Sequence, residues 1–73
     1  MKLPLLSANE LIKILRKMGF EEIRQRGSHK YFKHPDGRST VVPVHPGMEI
    51  GRGLLRKIIN EIEVERDEFF KYL

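Results

Sequence analysis

Residues 28–44 have the sequence SHKYFKHPDGRSTVVPV, and this stretch decides the fold. Residues 28–34 alternate with the period of a β-strand, and residues 39–44 are β-branched and apolar, which is typical of a returning strand. Between them, Pro35 suits the first central position of a type I turn and Gly37 suits the positive-φ site that follows. The pattern predicts a β-hairpin.

The alternation assigns the side chains of the first strand to two faces. Lys30 and Phe32 fall on one face, and His29, Tyr31 and Lys33 fall on the other. Because Phe32 is the large apolar side chain, its face is predicted to be covered. The face that carries His29 is predicted to stay open to solvent.

The flanking segments predict a third strand and two helices. Residues 20–26 are the other strand candidate, ending at Gly27, which permits a tight turn or a bulge. Residues 8–18 and 52–62 have apolar side chains at helical spacing, and residues 45–51 between strand and helix are predicted to be a loop. A short final helical turn is expected near residues 65–72, burying Phe69, Phe70 or Leu73.

The boundaries of the first helix carry their own signals. Ser7 and Glu10 have the spacing of a capping box, and Gly19 is placed to end the helix in a left-handed conformation. Pro43 cannot donate to a strand ladder, so its amide side is expected at a sheet edge or near the strand end.

The predicted fold is an α+β domain with the order α-β-β-β-α, a three-stranded antiparallel sheet and two helices on one face. This is the layout of double-stranded RNA-binding domains, which read RNA by shape and by phosphate and 2′-hydroxyl contacts. With 73 residues, we expect a single domain over 1–73 and no deep enclosed pocket.

Composition favours a cytoplasmic protein with an anionic partner. The net charge of the chain is +4. Residues 1–57 carry 12 Lys and Arg against 5 Asp and Glu, so this segment is more basic than the chain as a whole. The absence of cysteine excludes disulfides, thiolate metal sites and a cysteine nucleophile. No apolar run approaches the length of a membrane span or a secretory signal, so no membrane association is expected.

Four segments together resemble the HicA family of toxins. They are MGF at 18–20, RQRGSH at 24–29, HPDGR at 34–38 and VPVHPG at 42–47. They occur in the family's order and at close to its spacing. The resemblance implies a ribonuclease that cleaves messenger RNA, a double-stranded-RNA-binding-like fold and a HicB-like antitoxin partner. It also implies that the histidine of the Gly-Ser-His segment, here His29, is the catalytic residue.

The resemblance covers residues 7–62 and has two departures. Lys30 stands where many family members have a second histidine, and the segment from Glu61 onward is more acidic than expected. Neither departure touches His29, although Lys30 could alter activity or RNA preference.

The chemistry of His29 is consistent with RNA cleavage. Histidine titrates near neutral pH, and RNA carries its own nucleophile in the 2′-hydroxyl group, so a base alone can start the reaction without a metal or another cofactor. Gly27 lets the backbone approach a phosphate, and Ser28 offers a hydroxyl or amide donor. The alternative is a solvated strand histidine with no role.

The other two histidines differ in expected role. His45 ends the third strand, so it is a candidate second acid or base, or a substrate-orienting group; its alternative role is to fix the following loop. His34 precedes the proline turn and is expected to be structural or solvated. The spacing matches no zinc motif, so no metal site is expected.

Candidate RNA contacts are spread over the chain. They are Arg26, Lys30, Tyr31, Lys33, Lys17, Arg52 and Arg56. For the cations the alternative is a solvated surface, and Tyr31 could stack on a base, contact the antitoxin or simply favour a strand.

Two other functions remain open on this evidence. The first is a non-catalytic RNA-binding module of the same fold, which would not need His29. The second is a protein-interaction module whose basic face binds an acidic partner, and such a module would show no salt-sensitive affinity for RNA.

Overall fold

The computed structural model of the protein describes residues 2–73. Its elements in chain order are β1 (Leu6–Ser7), α1 (Ala8–Lys17), β2 (Glu21–Arg26), β3 (His29–Lys33), β4 (Ser39–Pro43), β5 (Glu49–Ile50), α2 (Arg52–Glu61) and α3 (Arg66–Phe70). β2, β3 and β4 form an antiparallel sheet in that spatial order. The predicted α-β-β-β-α layout is therefore confirmed, with element ends shifted by one residue or so.

Local signals set the ends of α1 as predicted. The Ser7 hydroxyl accepts a hydrogen bond from the Glu10 amide at 3.1 Å, and the Glu10 carboxylate accepts one from the Ser7 amide at 2.9 Å. At the other end Gly19 has a φ of +101°, and the Gly19 and Phe20 amides donate to carbonyls of the last turn. This pair of bonds is the Schellman motif, which satisfies carbonyls that the helix leaves unpaired.

Two turns connect the strands of the sheet. Gly27 and Ser28 alone separate β2 from β3, and Gly27 has a φ of +57°, as a type II′ turn requires at its first central position. Between β3 and β4, the Gly37 amide donates to the His34 carbonyl at 2.9 Å and Gly37 has a φ of +100°. Both turns match the sequence predictions.

The two faces of the sheet differ as the alternation predicts. Phe32, Val42 and Thr40 lie on the face covered by the helices, where Phe32 and Val42 have no exposed surface. Their neighbours in the core come from α1 and α2, chiefly Leu11, Leu15, Leu55, Ile58 and Ile59. His29 and the residues that alternate with it lie on the opposite face.

One small element was not predicted. β1 and β5 pair antiparallel, with Leu6 opposite Ile50, so the segment predicted as a loop over residues 45–51 contains a short strand. A two-residue strand has no periodicity to read. It forms because Leu6 and Ile50 are both buried against the core and their backbones are brought side by side.

The segment after α2 closes the core. Phe69 of α3 is fully buried, Phe70 is half-buried and Leu73 is exposed, which confirms the predicted final turn and identifies its anchor. Arg38 holds this end to the sheet, because its guanidinium donates to the Ile62 carbonyl at 2.5 Å. Within residues 2–73, no helix has the length and apolar character needed to cross a membrane.

Candidate nucleic-acid interface

His29 is the first residue of β3 and is exposed on the open face of the sheet. It lies opposite Arg26 of β2 and Pro43 of β4. The two-residue turn at Gly27 and Ser28 fixes this position, because it leaves His29 immediately after the reversal. Among residues 2–73, no hydrogen bond or ion pair engages the His29 ring.

The open face is basic. Reading away from His29, its rows are Arg26–His29–Pro43, then Arg24–Tyr31–Val41, then Glu21–Lys33–Ser39. Arg24, Arg26 and Lys33 have no carboxylate partner within the described residues 2–73. Unpaired cations beside an exposed histidine form a surface suited to an anionic ligand.

Arg24 was missed in the sequence analysis. Its guanidinium carbon lies 4.6 Å from the centroid of the Tyr31 ring, a cation–π contact. A β-bulge brings the two together, since the register shifts between Glu22 and Arg24 and leaves Ile23 without a partner. The alternation that predicted the faces of β3 carries no signal for this shift.

His45 lies at the same end of the sheet as His29. The Val44 amide donates to the Ser28 carbonyl at 2.6 Å, so the chain next to His45 is bonded to the residue next to His29. His45 is exposed and belongs to no strand. The fold thus brings the Gly27–Ser28 turn, His29 and the segment at His45 to one edge.

His34 has a structural environment, as expected for it. Its ring makes an edge contact with Phe20 at 5.1 Å between centroids. Its Nδ1 atom lies 3.1 Å from the Asp36 amide and 3.0 Å from the Asp36 carboxylate, so it accepts from the amide when neutral and donates to the carboxylate when protonated. These contacts tie His34 to the turn that follows β3, at the opposite end of the strand from His29.

Lys30 lies on the side of the sheet opposite His29. Its ammonium is 3.5 Å from the Glu22 carboxylate, which also lies 3.6 Å from the Arg16 guanidinium. The carboxylate therefore joins α1, β2 and β3 at one point. Lys30 has a partner inside the fold, in contrast to the cations of the open face.

The remaining predicted RNA contacts lie on the helices. Lys17 lines a groove between α1 and the chain end at Tyr72 and Leu73. Arg52 and Arg56 line a separate groove of about 600 Å³ together with Lys2 and Arg66, two cations that the sequence analysis did not select. In this groove the Arg52 guanidinium donates to the Leu3 carbonyl at 2.6 Å. The structure thus distributes the predicted contacts over more than one surface.

Two carboxyl groups have perturbed pKa values, and both serve turns or caps. Hydrogen bonds from Ser7, first from its amide, lower the pKa of Glu10. The hydrogen bond from the Arg38 amide is the largest cause of the lowered pKa of Asp36, and burial opposes it as the next largest. The Arg38 side chain and the charge of His34 lower this pKa further. No cluster of three or more His, Cys, Asp or Glu side chains suited to a metal ion occurs within residues 2–73.

Comparison with protein families identifies a match. The family described as "HicA toxin of bacterial toxin-antitoxin" matches residues 8–64, which is most of the chain and includes the whole three-stranded sheet. A search of curated proteins finds no match.

Proposed function

The chain belongs to the HicA toxin family of toxin–antitoxin systems, and from that premise we propose that it is an endoribonuclease that cleaves messenger RNA with His29. The observation that carries the proposal is the position of His29, exposed on a basic sheet face beside a glycine turn. A phosphodiester of an open, flexible RNA can reach that position without entering a pocket.

The proposed reaction is an internal transfer at phosphorus. His29 accepts the proton of the 2′-hydroxyl group, the 2′-oxygen bonds to the adjacent phosphorus, and the bond from phosphorus to the 5′-oxygen breaks. The products are a 2′,3′-cyclic phosphate and a 5′-hydroxyl end. The leaving 5′-oxygen takes a proton, for which His45 is the candidate donor at the same edge of the sheet and water is the alternative. No metal ion or other cofactor enters this scheme.

Charge builds on the non-bridging oxygens during this transfer. Arg26 is directly opposite His29, and the Gly27–Ser28 turn offers backbone amides and a hydroxyl group beside it. Donors placed where charge develops stabilise the transition state more than the ground state. We assign Arg26, Gly27 and Ser28 to this supporting role, with Tyr31 and Lys33 binding RNA farther along the face.

We propose a HicB-like antitoxin as the controlling partner, acting in the cytoplasm where messenger RNA is found. A site that is open to solvent is inhibited most simply by a protein that covers it. The open face accordingly predicts that the antitoxin competes with RNA for His29. Titrating the antitoxin into a labelled, uncleaved RNA complex tests this, because competition releases the RNA, whereas remote inhibition leaves it bound.

The deciding experiment is RNA cleavage by purified protein in the presence of EDTA. Wild type is compared with His29→Ala and with His34→Ala, a histidine variant at the opposite end of β3, after circular dichroism has shown that each is folded. We expect cleavage by wild type and His34→Ala, and RNA binding without cleavage by His29→Ala. Equal cleavage by wild type and His29→Ala would overturn the assignment. Binding without cleavage by all three would favour a non-catalytic RNA-binding module.

A further inference from the structure

The open face carries a groove that the proposed reaction does not use. It has a volume of about 480 Å³ and lies alongside His29, one row farther along β3. Its lining includes Ile23, Arg24, Tyr31, Lys33, Ser39 and Val41, and also Phe32, Thr40 and the carboxylate Glu61 of α2. We propose that this surface, the Tyr31 groove, binds one unstacked base of a single-stranded RNA next to the cleaved linkage. The inference rests on the proposed ribonuclease function and specifies its substrate class.

The apolar part of the Tyr31 groove is unusual for a solvent-facing sheet. Ile23 is 58% exposed although it lies in the middle of a strand. It is the residue that the β-bulge leaves unpaired, directly before Arg24, which is opposite Tyr31. Bulges redirect side chains and occur often beside functional sites. Here the bulge adds an aliphatic surface to the ring of Tyr31, which together suit a flat apolar ligand.

The charged lining of the groove is net positive, because two cations accompany one carboxylate, Glu61. That carboxylate accepts a hydrogen bond from the Thr40 hydroxyl at 2.7 Å. Arg24 lies over one side of the Tyr31 ring at 4.6 Å, and Lys33 is two residues along the same strand. Neither has a carboxylate partner among residues 2–73. Because Arg24 restricts the Tyr31 ring, less conformational freedom is lost when a base binds. Both cations remain available to bind phosphates. A nucleotide combines a flat base with an anionic phosphate, so it matches both parts of the groove.

Because the Tyr31 groove lies near His29, the base that it binds belongs to a nucleotide next to the cleaved linkage. Tyr31 follows His29 by two residues on one face, a separation of about 7 Å between Cα atoms. A base adjacent to the cleaved linkage can reach that row only if the strand is extended and the base is turned outward. Paired bases of a duplex cannot do this, whereas splayed bases of single strands commonly stack on aromatic and arginine side chains.

The test is a coupling measurement with an RNA that cannot be cleaved. A single strand of 2′-O-methyl nucleotides covers a mapped cleavage site, and abasic nucleotides replace each position in turn. Wild type is compared with Tyr31→Leu, which removes the ring, and Tyr31→Phe, which keeps it. At one position next to the cleavage site, we expect base removal to weaken wild-type and Tyr31→Phe binding about 5- to 150-fold and to leave Tyr31→Leu unchanged.

Two further variants of the Tyr31 groove test the proposal independently, in case Tyr31→Leu does not fold. Ile23 and Arg24 are exposed, so Ile23→Thr and Arg24→Gln should fold normally. We expect each to weaken binding of the intact strand and to reduce the effect of the same abasic position. A duplex of the same sequence should show no coupling to Tyr31.

The outcomes separate this inference from the proposed activity. If cleavage depends on His29 but no position couples to Tyr31, the proposed base-binding site is wrong and the proposed ribonuclease activity is supported. If the coupling is found but cleavage at the mapped site does not depend on His29, the base site is supported and the catalytic assignment of His29 fails. If the groove variants lose antitoxin binding while RNA binding is unchanged, the groove is a protein contact and the inference is overturned.

Discussion

His29 and Pro43 lie opposite each other across β3 and β4 as a pair that exchanges no backbone hydrogen bonds. The Val44 amide bonds to the Ser28 carbonyl, and bonded and unbonded pairs alternate along an antiparallel ladder. Proline therefore occupies a position whose amide would point away from the sheet, so its missing donor costs no ladder bond. In such pairs the side chains are closer, and Pro43 forms a rigid wall beside the proposed catalytic histidine.

The role of His45 can be tested through the leaving group. His45→Ala should slow cleavage of ordinary RNA if His45 protonates the 5′-oxygen. When sulfur replaces the bridging 5′-oxygen, the leaving group needs no proton, so His45→Ala should cleave this substrate as fast as wild type. His29→Ala should still cleave it slowly. Single-turnover rates on the two substrates measure this. Equal slowing on both would mean that His45 positions the RNA or the loop.

The two lysines of β3 should differ in their effect on RNA binding. Lys33 lies on the open face and has no carboxylate partner among residues 2–73, whereas Lys30 shares the Glu22 carboxylate with Arg16 on the other side. We expect Lys33→Gln to lower the slope of log affinity against log salt by about 1, and Lys30→Gln to change it much less. Fluorescence anisotropy over a salt series gives both slopes. If both substitutions lower the slope equally, the RNA contacts both faces of the sheet by passing around its edge.

Two glycines should respond differently to alanine. Gly27 has a φ of +57° and open space where a Cβ would lie, so Gly27→Ala should cost about 1–2 kcal/mol of unfolding free energy from backbone strain alone. Gly19 has a φ of +101°, and a Cβ there would lie 2.9 Å from Nε2 of His34. Gly19→Ala should therefore cost more. Urea denaturation of both variants measures the difference, and an equal loss would show that the His34 ring moves aside freely.

Glu63 offers a stabilising substitution. It has a φ of +55° at the end of α2, where a non-glycine side chain is unfavourable. Glu63→Gly should raise the free energy of unfolding by up to about 1 kcal/mol, because relief of the strain exceeds the added freedom of the unfolded chain. The control is Asn60→Gly, inside the same helix, which should lower stability by a similar amount. A lower Tm for Glu63→Gly would contradict this reading of the turn.

The Asp36 carboxylate should stabilise the protein in a pH-dependent way. Folding lowers its pKa, chiefly through the Arg38 amide, so its contribution is complete above its ordinary pKa and is lost as the pH falls through the lowered value. Asp36→Asn should thus be less stable than wild type at pH 7, and the two should converge well below about pH 4. Urea midpoints across this range provide the test. A difference that is independent of pH would assign the effect to packing instead.

Periodicity and turn chemistry predicted the elements that depend on neighbouring residues. The capping box at Ser7, the turn at Pro35 and the burial of Phe32 each follow from a few adjacent residues, and all are present. The same alternation predicted that His29 shares an open face with Tyr31. These features could be read because α-helical and β-strand periods, and the φ limits of glycine and proline, are local properties.

Sequence alone thus determined the α-β-β-β-α layout and the face on which His29 lies, because each depends on the order of apolar and polar residues along one strand or helix. Only the tertiary structure decided the pairing of β1 with β5, the bulge at Ile23 and the contact of Arg24 with Tyr31. β1 and β5 are distant in the chain, so no local pattern predicts their pairing. The bulge at Ile23 shifts the register that the Gly27–Ser28 turn sets, and the alternation of residues along β2 does not specify it.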